Sequence, residues 1–180
     1  MVKIVTPRLS AESLSEADWP FFLALEQNPE VMRYVDDSRP EGEIREAFES
    51  RLPPWTPGAE HWLCLLVRET ATGMPVGLTG YIHREPDCAE VGFLFAPEAH
   101  GRGFATESLR AVCDFAFTTG EIRRLIATVT VGNSASRRVL EKAGFVLEGE
   151  LRESFLIGGK WHNDWVLGLL RHEYQCPSPF

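Results

Sequence analysis

The chain has 180 residues, a length that suits one domain with a sizeable core, and its 44% hydrophobic and 24% charged residues exclude disorder, collagen and coiled coil. Its formal net charge of -8 opposes nucleic-acid binding, because the summed field repels phosphates, and it suits a cationic partner. MVKIVTPRLS lacks the apolar stretch of a signal peptide, no run approaches the ~18 apolar residues of a membrane span, and Cys64, Cys88, Cys113 and Cys176 show no ligand or disulfide spacing; a cytoplasmic protein without a metal site is expected.

In chain order, residues 15–26, SEADWPFFLALE, open with Ser-x-x-Asp, a capping-box pattern, and carry Phe21, Phe22 and Leu25 at helical spacing. Residues 28–35, NPEVMRYV, predict a second helix with Asn28 as cap and Pro29 in its first turn. Residues 40–52 predict a third, which pairs Ile44 with Phe48. From His61 the period changes: HWLCLLVRE, PVGLTGYIHRE and CAEVGFLFA are apolar runs that read as three strands buried on nearly both faces. The first two form a hairpin across Thr72 and Gly73, with the third beside them.

After PEAHGRGF, residues Ala105, Leu109, Val112, Cys113 and Ala116 mark the apolar face of a helix that Gly120 ends. RRLIATVTV, residues 123–131, is the next strand, and NSASRRVLEKAGF a short helix stopped by Gly144. FVLEGELRESFLI and KWHNDWVLGLL form a closing hairpin around Gly158 and Gly159. The result is an α+β or α/β domain on a mixed, mostly antiparallel sheet, in which only the strand-helix-strand crossover need be parallel. Residues 1–174 read as that one domain and 175–180, QCPSPF, as a loose tail.

A strand, a glycine-rich turn and a helix aim several N–H groups and a positive helix end at one point, which binds anions. Gly101 and Gly103 remove side chains from that point and Arg102 adds a cation to its rim. A turn that merely needs positive φ is the commoner origin of a lone Gly-x-Gly, and neither the dinucleotide nor the P-loop fingerprint is present.

The pair GFLFAPEAHGRGFATESL and NSASRRVLEKAGF resembles the GNAT superfamily of N-acetyltransferases, in particular its RimJ/RimL branch. The family's turn, Gln/Arg-x-x-Gly-x-Gly/Ala, is matched at 100–105 with His100 as a departure. Its second signature is matched by Asn133, Ser136, Glu141, Lys142, Gly144 and Phe145. Likeness extends through TPRL, NPEVMRYV and the final hairpin, from Thr6 to Tyr174. A further departure follows TPRL, where Glu12 stands at a position that is commonly basic.

That resemblance implies a GNAT-like fold, acetyl-CoA as co-substrate and direct acetyl transfer to a primary amine. The pyrophosphate of the cofactor would fall to His100, Gly101, Arg102, Gly103, Phe104, Ala105 and Thr106, and its pantetheine arm to the strand edge of Phe93, Leu94 and Phe95. The Phe95 N–H is the donor expected to polarise the thioester. Asn133, equally suited to cap a helix, would meet the pantetheine end. Ser136 is the expected acid, since Leu140 stands where many relatives carry a tyrosine, and Glu90 is the candidate base, with an exposed strand carboxylate as its other reading. Of the basic face Arg137, Arg138 and Lys142, Arg138 is assigned to the cofactor's 3′-phosphate. His162 and Asp164 are candidates for the acceptor cleft, while His61, His83 and His172 stay unassigned. Candidate acceptors are a protein N-terminus or a small amine; Glu46, Glu49 and Glu60 lean towards a cationic one. No nucleic acid, membrane or metal is expected, the chain is a monomer or homodimer, and a CoA-binding module without catalysis is the alternative.

Overall fold

A computed structural model describes residues 1–119 and 122–174; Gly120, expected to end a helix, and the expected tail at 175–180 lie outside the described residues. Eight strands form one sheet in the order β1-β2-β3-β4-β5-β6-β8-β7. They are β1 (Lys3–Val5), β2 (Leu9–Ser13), β3 (Leu63–Glu69), β4 (Pro75–Glu85), β5 (Cys88–Phe95), β6 (Arg124–Thr130), β7 (Val146–Ile157) and β8 (Lys160–Leu170). All neighbouring pairs are antiparallel except β5 and β6, the strands of the crossover.

Helices α1 (Trp19–Glu26) and α3 (Glu41–Glu49) cover one face, where Phe22, Leu25, Ile44 and Phe48 pack on Cys64, Leu66 and Leu78. Helices α4 (Phe104–Thr119) and α5 (Ser134–Lys142) cover the other, where Leu109, Val112 and Leu140 join Leu65, Tyr81, Phe95 and Leu125. β3 therefore sends Leu63, Leu65 and Val67 into one core and Cys64 and Leu66 into the other. Burial on both faces is why its sequence is a continuous apolar run rather than an alternation. Cys64, Cys88 and Cys113 are buried free thiols.

Sequence reading assigned no strand before residue 15, yet β1 and β2 extend the sheet there. Leu9 and Ala11 point inwards from β2 while Ser10, Glu12 and Ser13 are half-buried, a period-two pattern too short and too weakly apolar to stand out. Residues 15–26 do not form one helix. A 3₁₀ turn, Glu16–Asp18, precedes α1, and the Asp18 carboxylate accepts from the Ser15 N–H at 2.8 Å. α2 is shorter than 28–35, only Pro29–Met32, capped by Asn28 Oδ1 accepting from the Glu30 N–H at 2.9 Å. The β7–β8 hairpin turns on Gly158 and Gly159 with φ of +61° and +72°, the pair of positive values that a two-residue turn of matching twist needs.

Candidate active site

The parallel ladder between β5 and β6 pairs Cys88 with Arg124, Ala89 with Leu125 and Glu90 with Ile126, and stops. Beyond it β5 continues on β4 and β6 continues on β8, so the two strands diverge and the sheet opens as a V. In the β4–β5 ladder the Ala96 N–H donates to the Val76 carbonyl at 3.0 Å. Antiparallel alternation then turns the backbone of Leu94 towards β4 and that of Phe93 and Phe95 towards the opening. Leu94 thus offers the cavity its side chain rather than its backbone.

The Phe95 carbonyl is already taken: His100 Nε2 donates to it at 3.0 Å, which ties the turn to the strand end. A carbonyl can only accept, so the proton sits on Nε2. Past His100, Gly101 and Gly103 have φ of +74° and +77°, a region costly to any side chain. A Cβ at Gly101 would meet open space, whereas one at Gly103 would lie 3.3 Å from Arg8 Nη2. The first intrahelical bond of α4 runs from the Glu107 N–H to the Gly103 carbonyl, so the N–H groups of Phe104, Ala105 and Thr106 have no partner within the helix.

Arg102, expected from sequence to add a cation to this rim, carries its charge in an ion pair. It pairs with Glu69 and stacks on Phe104 at 4.3 Å, and together with the Thr72 hydroxyl it holds the Glu69 carboxyl below its ordinary range. Sequence reasoning missed the brace beneath the turn. Arg8 donates from Nη1 to the Arg102 carbonyl at 2.8 Å and from Nε to Glu107 at 2.7 Å, while Thr6 donates to Glu107 at 2.7 Å. Burial pushes the Glu107 carboxyl up, but these donors outweigh it and the group lies below the usual value. TPRL is thus a clamp on the glycine turn.

A cavity of about 490 Å³ fills the V and reaches across the sheet to the ends of α1 and α2. On the β6 side it is lined by Thr128, Thr130, Asn133, Ser136 and Leu140. Asn133 caps α5, accepting from the Ser136 N–H at 3.3 Å, and Ser136 and the buried Leu140 lie one turn apart on the cavity face. Glu90 sits at the apex of the V, half-buried, and accepts from Arg84 Nε at 2.6 Å. Asp164 lines the far end, buried, and takes hydrogen bonds from Thr130 at 3.2 Å and Ser154 at 2.7 Å.

The structure brings Glu90, Phe93, Leu94, Asn133 and Ser136 to one cavity; the glycine turn does not line it and follows the end of β5 in the chain. The Phe95 ring is core, packed on Gly77, so only its backbone faces the opening. Arg138 is exposed without an ion pair among the described residues, whereas Arg137 bonds Glu141 at 2.9 Å. Glu46, Glu49 and Glu60 are exposed and do not line the cavity, and Glu49 pairs with Arg45. The opposite wall is built from residues to which sequence reading gave no role: Glu26, Tyr34, Arg39, Arg51 and Trp62.

Comparison with known proteins gives the family. Residues 8–146 match the model of the acetyltransferase (GNAT) domain. A spermidine N(1)-acetyltransferase of Vibrio cholerae is 29% identical over 174 residues, covering 93% of this chain and 95% of that one. Among solved structures, a GNAT-family acetyltransferase from Bacillus anthracis superposes with a TM-score of 0.83 at 23% identity over 95% of this chain and 99% of that one. RimL, a ribosomal L7/L12 α-N-protein acetyltransferase solved with coenzyme A, gives 0.82 at 21% over 94% and 98%. With its family signature spanning the turn, the splayed strands and α5 together, the chain belongs to the GNAT acetyltransferases.

Proposed function

We propose that this acetyltransferase, of the RimJ/RimL-like branch, moves the acetyl group of acetyl-CoA to a primary amine, either a protein N-terminal α-amino group or a small amine, in one direct attack. One observation carries the reading: the β5–β6 ladder ends at Glu90 and Ile126 with the Phe93 and Phe95 backbone turned into the gap. A chain of amides laid in that gap would pair with this edge as an added strand does. The outer turn fits the diphosphate of the same molecule, since the N–H groups of the first turn of α4 are unpaired within the helix and the space over Gly101 is open.

Acetyl-CoA supplies an acetyl group activated as a thioester. The chain's own residues then divide the work. Phe95 N–H is the donor for negative charge developing on the carbonyl oxygen, held in place by the His100 contact to the same residue. Ser136 gives a proton to the departing sulfur, whose conjugate acid, with a pKa of about 8.5, needs no strong donor. Glu90 takes the amine proton, directly or through water, from its place at the apex. No cysteine lies in either motif, consistent with the absence of a covalent step. Arg138, exposed and unpaired among the described residues, suits the 3′-phosphate.

The test is release of free thiol from acetyl-CoA with a panel of primary amines. Acceleration by at least one amine, with equimolar N-acetyl product, is the expected outcome. Cofactor binding with no amine accelerating release across peptides, polyamines and amino acids would favour a binding module instead.

A further inference from the structure

Two arginines line the cavity, and they are not equivalent. Arg39 donates from Nη2 to the buried Glu26 carboxylate at 2.9 Å and is neutralised there. Arg51, just past the end of α3, is half-buried and has no carboxylate within ion-pair distance among the described residues. Its guanidinium lies over the rings of Phe22 and Trp62, at 5.2 and 5.9 Å, and among the described residues the one side-chain acceptor it meets is Cys64 Sγ at 3.9 Å. Burial pushes the Cys64 thiol above its ordinary value in spite of Arg51, so the sulfur is a neutral, weak acceptor and no counter-charge.

Trp62 relates this cation to β5. A Cβ at Gly92 would lie 3.1 Å from Trp62 Cη2, so the indole rests directly on β5, two residues beyond Glu90 and one before Phe93. One aromatic ring therefore separates the guanidinium from the strand at which acetyl transfer is proposed. A charge held partly out of water without a counter-charge is costly, and a guanidinium fork matches a carboxylate with two parallel hydrogen bonds.

Resting on the proposed transferase reading, we infer that the acceptor carries both an amine and a carboxylate, and that Arg51 binds the carboxylate across Trp62 while the amine meets Glu90 and the thioester. The acceptor is then a small amino acid or a relative of one. Spermidine, named for a relative, has no carboxylate. Arg51 selects substrate; it does not touch the reacting atoms.

Pairs of ω-amino acids and their primary amides, matched in chain length, test this with the full-length protein. The wild type is expected to favour the acid at least about tenfold in kcat/KM, through KM, as a charge-assisted bond implies. Arg51→Met, which keeps the apolar stem, should bring the ratio of acid to amide close to one, and Arg51→Lys should keep part of it. Equal use of acid and amide by the wild type, preference for a polyamine, or a ratio that survives Arg51→Met would overturn the inference while leaving acetyl transfer standing. Calorimetric titration of acid and amide into the CoA-loaded protein decides it without turnover: tighter binding of the acid, lost in Arg51→Met, supports it, and equal binding overturns it. Absence of thiol release with every amine would count against the transferase reading instead.

Discussion

The two halves of the cavity are made of different material. The half between β5 and β6 is framed by backbone, a strand edge and the capped start of α5, with the left-handed glycines and the unpaired N–H groups of α4 following the end of β5, and Thr128, Thr130 and Ser136 add side chains to it. The half under α1 and α3 is built of side chains, with Glu26, Tyr34, Arg39, Arg51 and Trp62 each supplied by a different stretch of chain. Backbone geometry restricts the residues that can form it, so it leaves motifs. Side chains brought together only by packing leave none. One half can thus be shared across a family that uses one cofactor, and the other can vary with the acceptor.

This contrast can be broken by substitution, beginning with the largest effect. Gly103→Val places a branched side chain at φ +77° and against Arg8, the clamp on the turn, so coenzyme A affinity by calorimetry should fall beyond detection. Gly101→Ala, where the space is open, should bind more weakly than wild type and far better than Gly103→Val. Retained affinity in Gly103→Val would remove the turn as the phosphate site. Next, Ser136→Ala should lower kcat about a hundredfold, the scale of a lost proton donor, and leave coenzyme A affinity nearly intact. Unchanged turnover would remove Ser136 as the acid.

The smallest expected effect is on the brace rather than the site. Glu107→Gln, which loses the charge that Arg8 and Thr6 hold, should lower stability by about 1 to 2 kcal/mol near neutral pH in thermal unfolding. The sign follows from the depressed carboxyl: its contribution is complete above the unfolded value of 4.5 and is lost as pH falls through the lower folded value. Wild type and variant should therefore converge in stability below about pH 4.5. A difference that grows with acidity would contradict the clamp.

Most of the sheet was readable from sequence because strands buried on both faces are continuous apolar runs, and Gly73, Gly158 and Gly159 mark their turns. β1 and β2 were not, since LSAES carries only Leu9 and Ala11 as inward residues. In the site, Asn133 was readable both as a cap and as a lining residue because each role uses the same exposed helix end. The sequence placed Arg102 on the rim of the turn and could not show its pairing with Glu69, a residue 33 positions away. The meaning of TPRL was equally hidden, because Arg8 and Glu107 meet only once β2 and α4 are packed. Arg51 stands out only once the ion pairs around the cavity, Arg39 with Glu26 and Arg84 with Glu90, have been placed in space.

The most direct test of the backbone-built half is the backbone amide spectrum of the isotope-labelled protein titrated with coenzyme A. The largest shifts should fall on the N–H groups of residues 101–106 and on Phe93 and Phe95, with Leu94 moving less because its backbone faces β4. Shifts concentrated at Arg39, Arg51 and Trp62, with the turn and the β5 edge silent, would contradict it.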